Sequence, residues 1–490
     1  MLFQLPPLLS RVQAALPAGQ PAYLVGGALR DLLLGRPPHD FDFVLPAGAI
    51  RTGRQVAGAL KADFFVLDET RDAGRVLLQA DGERVVLDFI AQQGESLAAD
   101  LAGRDLTINA MALDLHQPDQ LIDPLNGAAD LAAKRLRACG PGSLPSDPVR
   151  VLRTLRLAAQ LGMQVDAETR AQMRAAAPGL AGVSAERLRD ELFRLLETPK
   201  LATSLRALDR LGALAPVLPE LPAMQGVEQS PPHVFDVWEH SLRTLDRLEQ
   251  IFGLLDEHYP AEGAGDLYGG LVVLHLGRFR TQISQLLGSQ LSPGRGRRSL
   301  LSLAALYHDS GKPAARSQQA DGRIRFLGHE ALSAEAIAAR AAALHLSNSE
   351  RSYLHTVVAE HMRPYALTLT GQAPTRRAIY RFFREVGEAG VDICLLSAAD
   401  FMGKYHAHLP QAELSAHLET LRALLAAYYE QQAEVVAPAP LLNGAELMAE
   451  LALAPGPEIG RLLEALREAQ AAGELADRAA ALALARRLLG

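Results

Sequence analysis

Residues 23–45 read YLVGGALRDLLLGRPPHDFDFVL. A β-type run ends at Val25, Gly26 and Gly27 follow, and a helical pattern runs from Ala28 to Leu34. Two glycines between a strand and a helix let the backbone approach an anion with no Cβ in the way, and the helix start offers unpaired N–H groups to a phosphate. Arg30, one turn in, is placed to clamp a triphosphate. In the run Asp40-Phe41-Asp42-Phe43, residues i and i+2 share one face of a strand. Asp40 and Asp42 therefore present two carboxylates side by side, while Phe41 and Phe43 turn to the core. Such a pair repels unless a cation lies between its members, and Mg²⁺ takes a few carboxylate oxygens together with substrate phosphates. Asp88, in VVLDFI, adds a third acid from another strand, as two-metal phosphoryl transfer requires. A lone glycine pair is usually a turn and a lone Asp-x-Asp a solvated strand end; the order and spacing of the two carry the reading.

The rest of the chain bounds this reading. Its 490 residues suffice for two to four domains, and 49% hydrophobic with 21% charged residues is ordinary for a globular protein. The formal charge of −7 argues against a general DNA binder, so any RNA contact must come from a local patch. Two cysteines far apart, Cys139 and Cys394, exclude a disulfide scaffold and a cysteine-rich zinc site and suit a cytoplasmic protein. No secretory signal and no membrane-spanning run is read.

Short β-type runs, FDFVL (41–45), FFVL (64–67) and RVVLDFI (84–90), predict an α/β head with a small mixed sheet over 1–145, opened by an amphipathic helix within 1–20. From 146 onward the periodicity is helical and strand signals nearly vanish. We expect a helical neck over 146–230, ending in a linker at 219–232. A second domain follows over 231–432, with a variable insertion near 253–299 that carries the basic cluster GRGRR. A helical tail occupies 433–490.

The ordered motifs resemble those of the class II, bacterial-type tRNA nucleotidyltransferase and poly(A) polymerase family. GRDLTINAMAL (103–113) is similar to that family's RRDFTINAMA motif, with Gly103 in place of the first arginine and Leu106 in place of phenylalanine. The resemblance implies that Arg104, Asp105 and Asn109 bind the incoming nucleotide. LIDPLNGAADLAAKRLRA (121–138) resembles the motif that couples head and neck. In SDPVRVLRTLRLAAQLG (146–162), Asp147 and Arg150 lie three apart on one expected helix face, continued by Arg153 and Arg156. In the family this pair reads the Watson–Crick edge of CTP or ATP in place of a nucleic-acid template: arginine supplies donors and aspartate acceptors. AERLRDELFRLL (185–196) resembles the last neck motif, a structural helix. The resemblance implies Mg²⁺ at Asp40 and Asp42 with Asp88 as the third catalytic acid, and addition of CMP and AMP from CTP and ATP to the 3′ end of tRNA. Full CCA-adding members carry a flexible loop before the RRDF-like motif. The interval AQQGESLAADLAG (91–103) is short, so CC-only addition stays open, as does A-only or poly(A) addition.

A second set of residues has the order His240 (in WEHSLRTLDRL), His308-Asp309 (in HDSGKP), His329, His361 and Asp400. It resembles the HD phosphohydrolase superfamily, whose signature is HD-x-GK. Imidazole and carboxylate together suit Mg²⁺, Mn²⁺, Ni²⁺ or iron, and a dinuclear site activates water. His233, His275 and His355 lack such context and are read as surface or packing histidines. Two other classes of function stay open: a metal-dependent phosphohydrolase whose head senses nucleotides, and a non-catalytic RNA clamp. The expected partners are tRNA, CTP and ATP, with no membrane. Oligomeric state is not legible.

Overall fold

The computed structural model describes residues 6–80, 82–259, 266–406 and 409–489. The chain forms two compact units, Met1–Glu191 with Ala207–Val217, and Leu192–Arg206 with Leu218–Gly490.

The first unit is built on a seven-stranded mixed sheet. Its strands are β1 (Tyr23–Val25), β2 (Asp40–Leu45), β3 (Asp63–Asp68), β4 (Ala73–Ala80), β5 (Glu83–Ala91), β6 (Ala112–Asp114) and β7 (Leu121–Ile122), in the order β3-β4-β5-β2-β1-β6-β7. Among the described residues of this sheet only β2 and β5 pair in parallel, and their register sets Asp42 opposite Asp88. Alternation separates the faces: Phe41, Phe43, Leu87 and Phe89 are buried, with Phe43 stacked on Phe89 at 4.9 Å between centroids, while Asp40, Asp42 and Asp88 share the other side. The helix Ala49–Leu60 packs against β4 and β5, and the N-terminal helix Pro7–Ala15 buries Leu9 and Val12 in the same core. Beyond the sheet, Arg135–Leu136 pairs in parallel with Gln164–Val165, joining the segment after the sheet to the helices Arg150–Leu161 and Ala167–Ala176.

The described residues of the second unit are helical apart from loops and two small antiparallel ladders, Gln290–Ser292 with Arg295–Gly296 and Ser317–Gln318 with Ile324–Arg325. Its centre is the helix Ala389–Gly403, buried along its whole length and packed by Val237–Leu254, Arg297–Tyr307 and Asn348–Glu360. Two sequence expectations change here. The stretch 219–232 is not a free linker, because Leu221 and Met224 are fully buried in a short 3₁₀ turn. The described part of 253–299 includes the helices Leu267–Leu276 and Arg280–Leu287, and two of the three arginines of GRGRR are internal ties, while Arg298 is exposed and lies over the Phe252 ring. Arg297 is 5% exposed and pairs with buried Asp392 at 2.7 Å, and Arg295 pairs with Glu350. The C-terminal helices Gly444–Leu451, Pro457–Ala471 and Arg478–Leu489 have their own core around Leu447, Leu462 and Leu466. No described helix is long and apolar enough to cross a membrane.

Candidate active site and a buried histidine cluster

The helix after β1 starts two residues earlier than the sequence suggests. It spans Gly26–Leu33, and Gly26 adopts φ +72°. A Cβ on Gly26 would lie 3.2 Å from Asp42 Oδ2 and 3.4 Å from Arg104 Nη1, so glycine is required both by its backbone conformation and by the approach of these two side chains. Asp40 is exposed and Asp42 half-buried. Burial, then repulsion from Asp88, raises the Asp42 carboxyl above its ordinary value, against the pull of Arg104. Carboxylate oxygens alone, crowded until their charges oppose one another, form a donor set that fits a hard divalent cation.

Asp88 is more constrained than expected. Arg75 on β4, directly opposite it, donates from Nε and Nη2 to its two oxygens at 2.7 Å each. Arg75 escaped the sequence reading although it interrupts the otherwise apolar run AGRVLL. Arg30 is 8% exposed, forked onto Asp31 at 2.9 Å through Nε and Nη2, and donates through Nη1 to Asn109 Oδ1 at 2.8 Å. These contacts tie the helix start to the 103–113 segment. Asn109 in turn donates to Asp105 Oδ1 at 3.1 Å, and Arg153 donates to Asp105 Oδ2 at 3.5 Å. One chain of polar contacts thus links the glycine-opened helix, the 103–113 segment and the helix Arg150–Leu161. Arg104 pairs with Asp100 at 3.1 Å.

Asp147 does not sit on a helix with Arg150; it occupies the turn before the helix, which begins at Arg150. The two remain near, with Arg150 Nε 3.6 Å from Asp147 Oδ2. Arg150 Nη1 donates to the carbonyls of Ser143 at 2.8 Å and Gly103 at 3.2 Å. Arg153 and Arg156 continue the stripe, both held by buried Glu191 at 3.2 and 3.0 Å. Arg187 and Glu191 were read only as parts of a structural helix.

In the second unit, all six residues of the histidine–aspartate series converge. His240 comes from Val237–Leu254, His308 and Asp309 follow Arg297–Tyr307, His329 opens His329–Ala343, His361 caps Asn348–Glu360, and Asp400 lies in Ala389–Gly403. His240 Nε2 is 3.0 Å from Asp400 and 3.4 Å from Asp309; His308 and His329 Nε2 reach Asp309 at 3.3 and 3.2 Å. Nδ1 of His308, His329 and His361 faces the backbone carbonyl three residues earlier at 2.7, 2.8 and 2.7 Å. A carbonyl only accepts, so Nδ1 carries the proton and each Nε2 turns a lone pair inward. The Nε2 atoms of His240, His308, His329 and His361, and Asp309 Oδ2, are buried without a well-formed hydrogen bond. Two triads, His240-His308-Asp400 and His308-Asp309-His361, bring ligand atoms within 4.8 Å of one another. Orphaned buried donors of this kind fit one or two metal ions.

Lys312 and Lys404 belong to the same centre, 2.6 Å from Asp309 and 3.5 Å from Asp400. Burial pulls Asp309 upward, but His308 and Lys312 more than offset it and hold the carboxyl well below its usual value. His233, read as a surface or packing histidine, packs beside this site: its ring stands 5.1 Å from that of His240. A cavity of about 520 Å³ opens beside the cluster, lined by His233, Lys312, His329, Arg323 and Phe326. His275 contacts Ser415 and Glu419, and His355 is exposed.

The mixed sheet, its facing carboxylates and the glycine-opened helix define a nucleotidyltransferase domain. Residues 22–137 match the family model of the poly A polymerase head domain, and 162–224 match that of a probable RNA and SrmB-binding site of polymerase A. A CC-adding tRNA nucleotidyltransferase of Geobacter sulfurreducens is 32% identical over 483 residues, covering 97% of this chain and 95% of that one. An A-adding tRNA nucleotidyltransferase of Deinococcus radiodurans is 33% identical over 463 residues, covering 93% and 92%. A solved CCA-adding enzyme in complex with CTP shares the fold, with a TM-score of 0.63 at 17% identity over 99% of this chain and 96% of that one. The chain belongs to the tRNA nucleotidyltransferase and poly(A) polymerase family.

Proposed function

We propose that the chain adds CMP and AMP, taken from CTP and ATP, to the 3′ end of tRNA without a nucleic-acid template. The observation that carries this is the in-register facing of Asp42 and Asp88 beside Gly26. Asp40 and Asp42 would hold Mg²⁺, with Asp88 turned toward Arg75. A bound ion would supply charge neutralisation at the triphosphate and lower the proton affinity of the RNA 3′-hydroxyl. The N–H groups at the start of Gly26–Leu33 receive phosphate oxygens, with Arg104 adjacent to them. Asp105 and Asn109 orient the sugar. Asp147 and Arg150 meet the base edge, backed by Arg153 and Arg156. Cytosine and adenine both pair an exocyclic amine with a bare ring nitrogen, whereas uracil and guanine present the reverse, so one acceptor and one donor suffice to choose. The test is incorporation of labelled CTP or ATP into tRNA lacking its CCA end. Asp42→Ala is expected to lower kcat by roughly a thousandfold or more, and a fully active variant would refute the assignment.

A second reading is favoured by one observation. The interval 91–103 holds no long loop: Ser96 caps a six-residue helix, Leu97–Ala102, and Asp100 accepts from Gln93 N at 2.8 Å. Addition that stops after CC follows from this if a longer loop is needed to switch from C to A. Supplying CTP alone, ATP alone or both to tRNAs ending at each stage separates full, CC-only and A-only addition.

In the second unit, His240, His308, Asp309, His329, His361 and Asp400 would hold a divalent metal, Mg²⁺, Mn²⁺, Ni²⁺ or iron, that promotes attack of water on a phosphoester. Lys312 lines the cavity beside the cluster and would meet a phosphate bound there. Phosphate release that vanishes in Asp309→Ala and survives in Asp42→Ala supports this reading. The free thiols of Cys139 and Cys394 accord with placement in the cytoplasm.

A further inference from the structure

The helix Ala185–Leu196 presents two charged side chains to the residues proposed to read the base. Arg187 Nη2 donates to Asp147 Oδ2 at 2.7 Å, and Glu191 accepts from Arg153 Nε at 3.2 Å and Arg156 Nε at 3.0 Å. Glu191 is 4% exposed, so its charge is committed to these arginines, whereas the Arg187 side chain is 55% exposed and contributes little to packing. Asp147 lies in a turn, so no helix dictates where its carboxylate points. Arg150 approaches only the same oxygen, at 3.6 Å, and its own Nη1 is engaged by two backbone carbonyls.

We propose that Arg187 and Glu191 are positioning residues for nucleotide choice. Arg187 pins Oδ2 of Asp147, so that Oδ1 serves as the acceptor for the amino group of cytosine or adenine. Glu191 fixes Arg153 and Arg156 on the helix that also carries Arg150. This rests on the reading of Asp147 and Arg150 as base-recognising residues. Without Arg187 the carboxylate turns about its Cβ–Cγ bond, and a water bridge suffices to accept uracil. The loss therefore appears in selectivity rather than in turnover, because neither side chain touches the phosphates or the acids of β2.

The experiment measures kcat/KM for CTP and for UTP on the same tRNA primer. It uses the full chain and the variants Arg187→Ala, Arg187→Lys, Glu191→Gln and Asp147→Ala. Arg187→Ala is expected to lower the preference for CTP over UTP by roughly tenfold, the usual effect of losing one charged hydrogen bond. Kcat with CTP should change by less, and Arg187→Lys should restore most of the preference. Glu191→Gln should also weaken the preference. Because Glu191 is buried, its folding is checked by thermal melting; Arg187→Ala, at a largely exposed position, keeps the test decisive on its own. A preference unchanged in Arg187→Ala, or an equal fall for both nucleotides, overturns the proposal while leaving base reading by Asp147 intact. If Asp147→Ala itself discriminates like the parent chain, base reading falls, and this proposal with it.

Discussion

Single residues in the first unit carry more of its order than their position suggests. Asp130 is fully buried and accepts from Thr107 Oγ1 at 2.7 Å, Arg135 Nε at 2.7 Å and Arg137 Nε at 2.9 Å. It fastens the 103–113 segment to the chain leaving the sheet. Burial alone would raise its pKa, but the hydrogen bonds from Thr107, Arg135 and Arg137 more than reverse this and hold it below 3.8. A lowered folded-state value means that the unfolded chain takes up the proton first. The stabilisation is therefore present above 3.8 and is lost as the pH falls through the folded value. Asp130→Asn is expected to cost about 2 kcal/mol at neutral pH and to flatten the acid limb of stability against pH, measured by urea unfolding. At this scale the sequence was legible where the chemistry is strange, as in two acids on alternate positions or a histidine followed by an aspartate. It was not legible where ordinary ion pairs do the holding. Arg75, Asp130, Arg187 and Glu191 look like surface charges until the partner from a distant strand or helix is known.

Elements were read well wherever their pattern is local. The runs at 41–45, 64–67 and 84–90 became β2, β3 and β5 because alternation is enforced by a sheet buried on one face. Starts and stops were less legible: Gly26 opens its helix with a positive φ and with no room for a Cβ beside Asp42 and Arg104, and Asp147 falls in a turn rather than on the helix it precedes. The segment 253–299 read as an insertion because glycine and proline interrupt it; its described part forms helices and supplies the Arg295 and Arg297 anchors. Close approach of elements also sets a prediction. A Cβ on Gly311 would come 2.4 Å from the carbonyl of His329 and 2.7 Å from Ser333 N. Gly311→Ala is therefore expected to push His329–Ala343 away and move His329 from Asp309. Metal bound to the purified variant, read by elemental analysis, should fall several-fold, while CTP incorporation by the first unit persists. Unchanged metal content would show that the cluster does not depend on this contact.

Among the described residues each unit buries its own core, a small second cluster around Val25, Val44 and Leu101 lies in the first unit, and another small one lies at the C-terminus. Those last helices meet the helix Arg376–Val386 through charge: Arg377 and Arg381 pair with Glu468 at 3.2 and 2.6 Å, Arg384 with Glu464 at 2.6 Å, and Arg377 with Glu474 at 2.8 Å. Such exposed pairs are individually weak and are screened by salt. Raising salt from about 0.1 M to about 1 M is expected to speed amide hydrogen exchange in Pro457–Ala471 while Ala389–Gly403, buried along its length, stays protected. Equal response of both helices would show that the tail is held by its apolar contacts instead.

The parallel pairing of β2 with β5 has one more consequence, for how such a chain can change in length. Adding a single residue inside either strand would turn its aspartate to the opposite face and end the alignment of Asp42 with Asp88. Adding residues to the turns at 46–48 or 69–72 moves neither. Lineages and designers are thus free to lengthen the rim of this sheet, whereas the spacing inside its two middle strands is closed to editing.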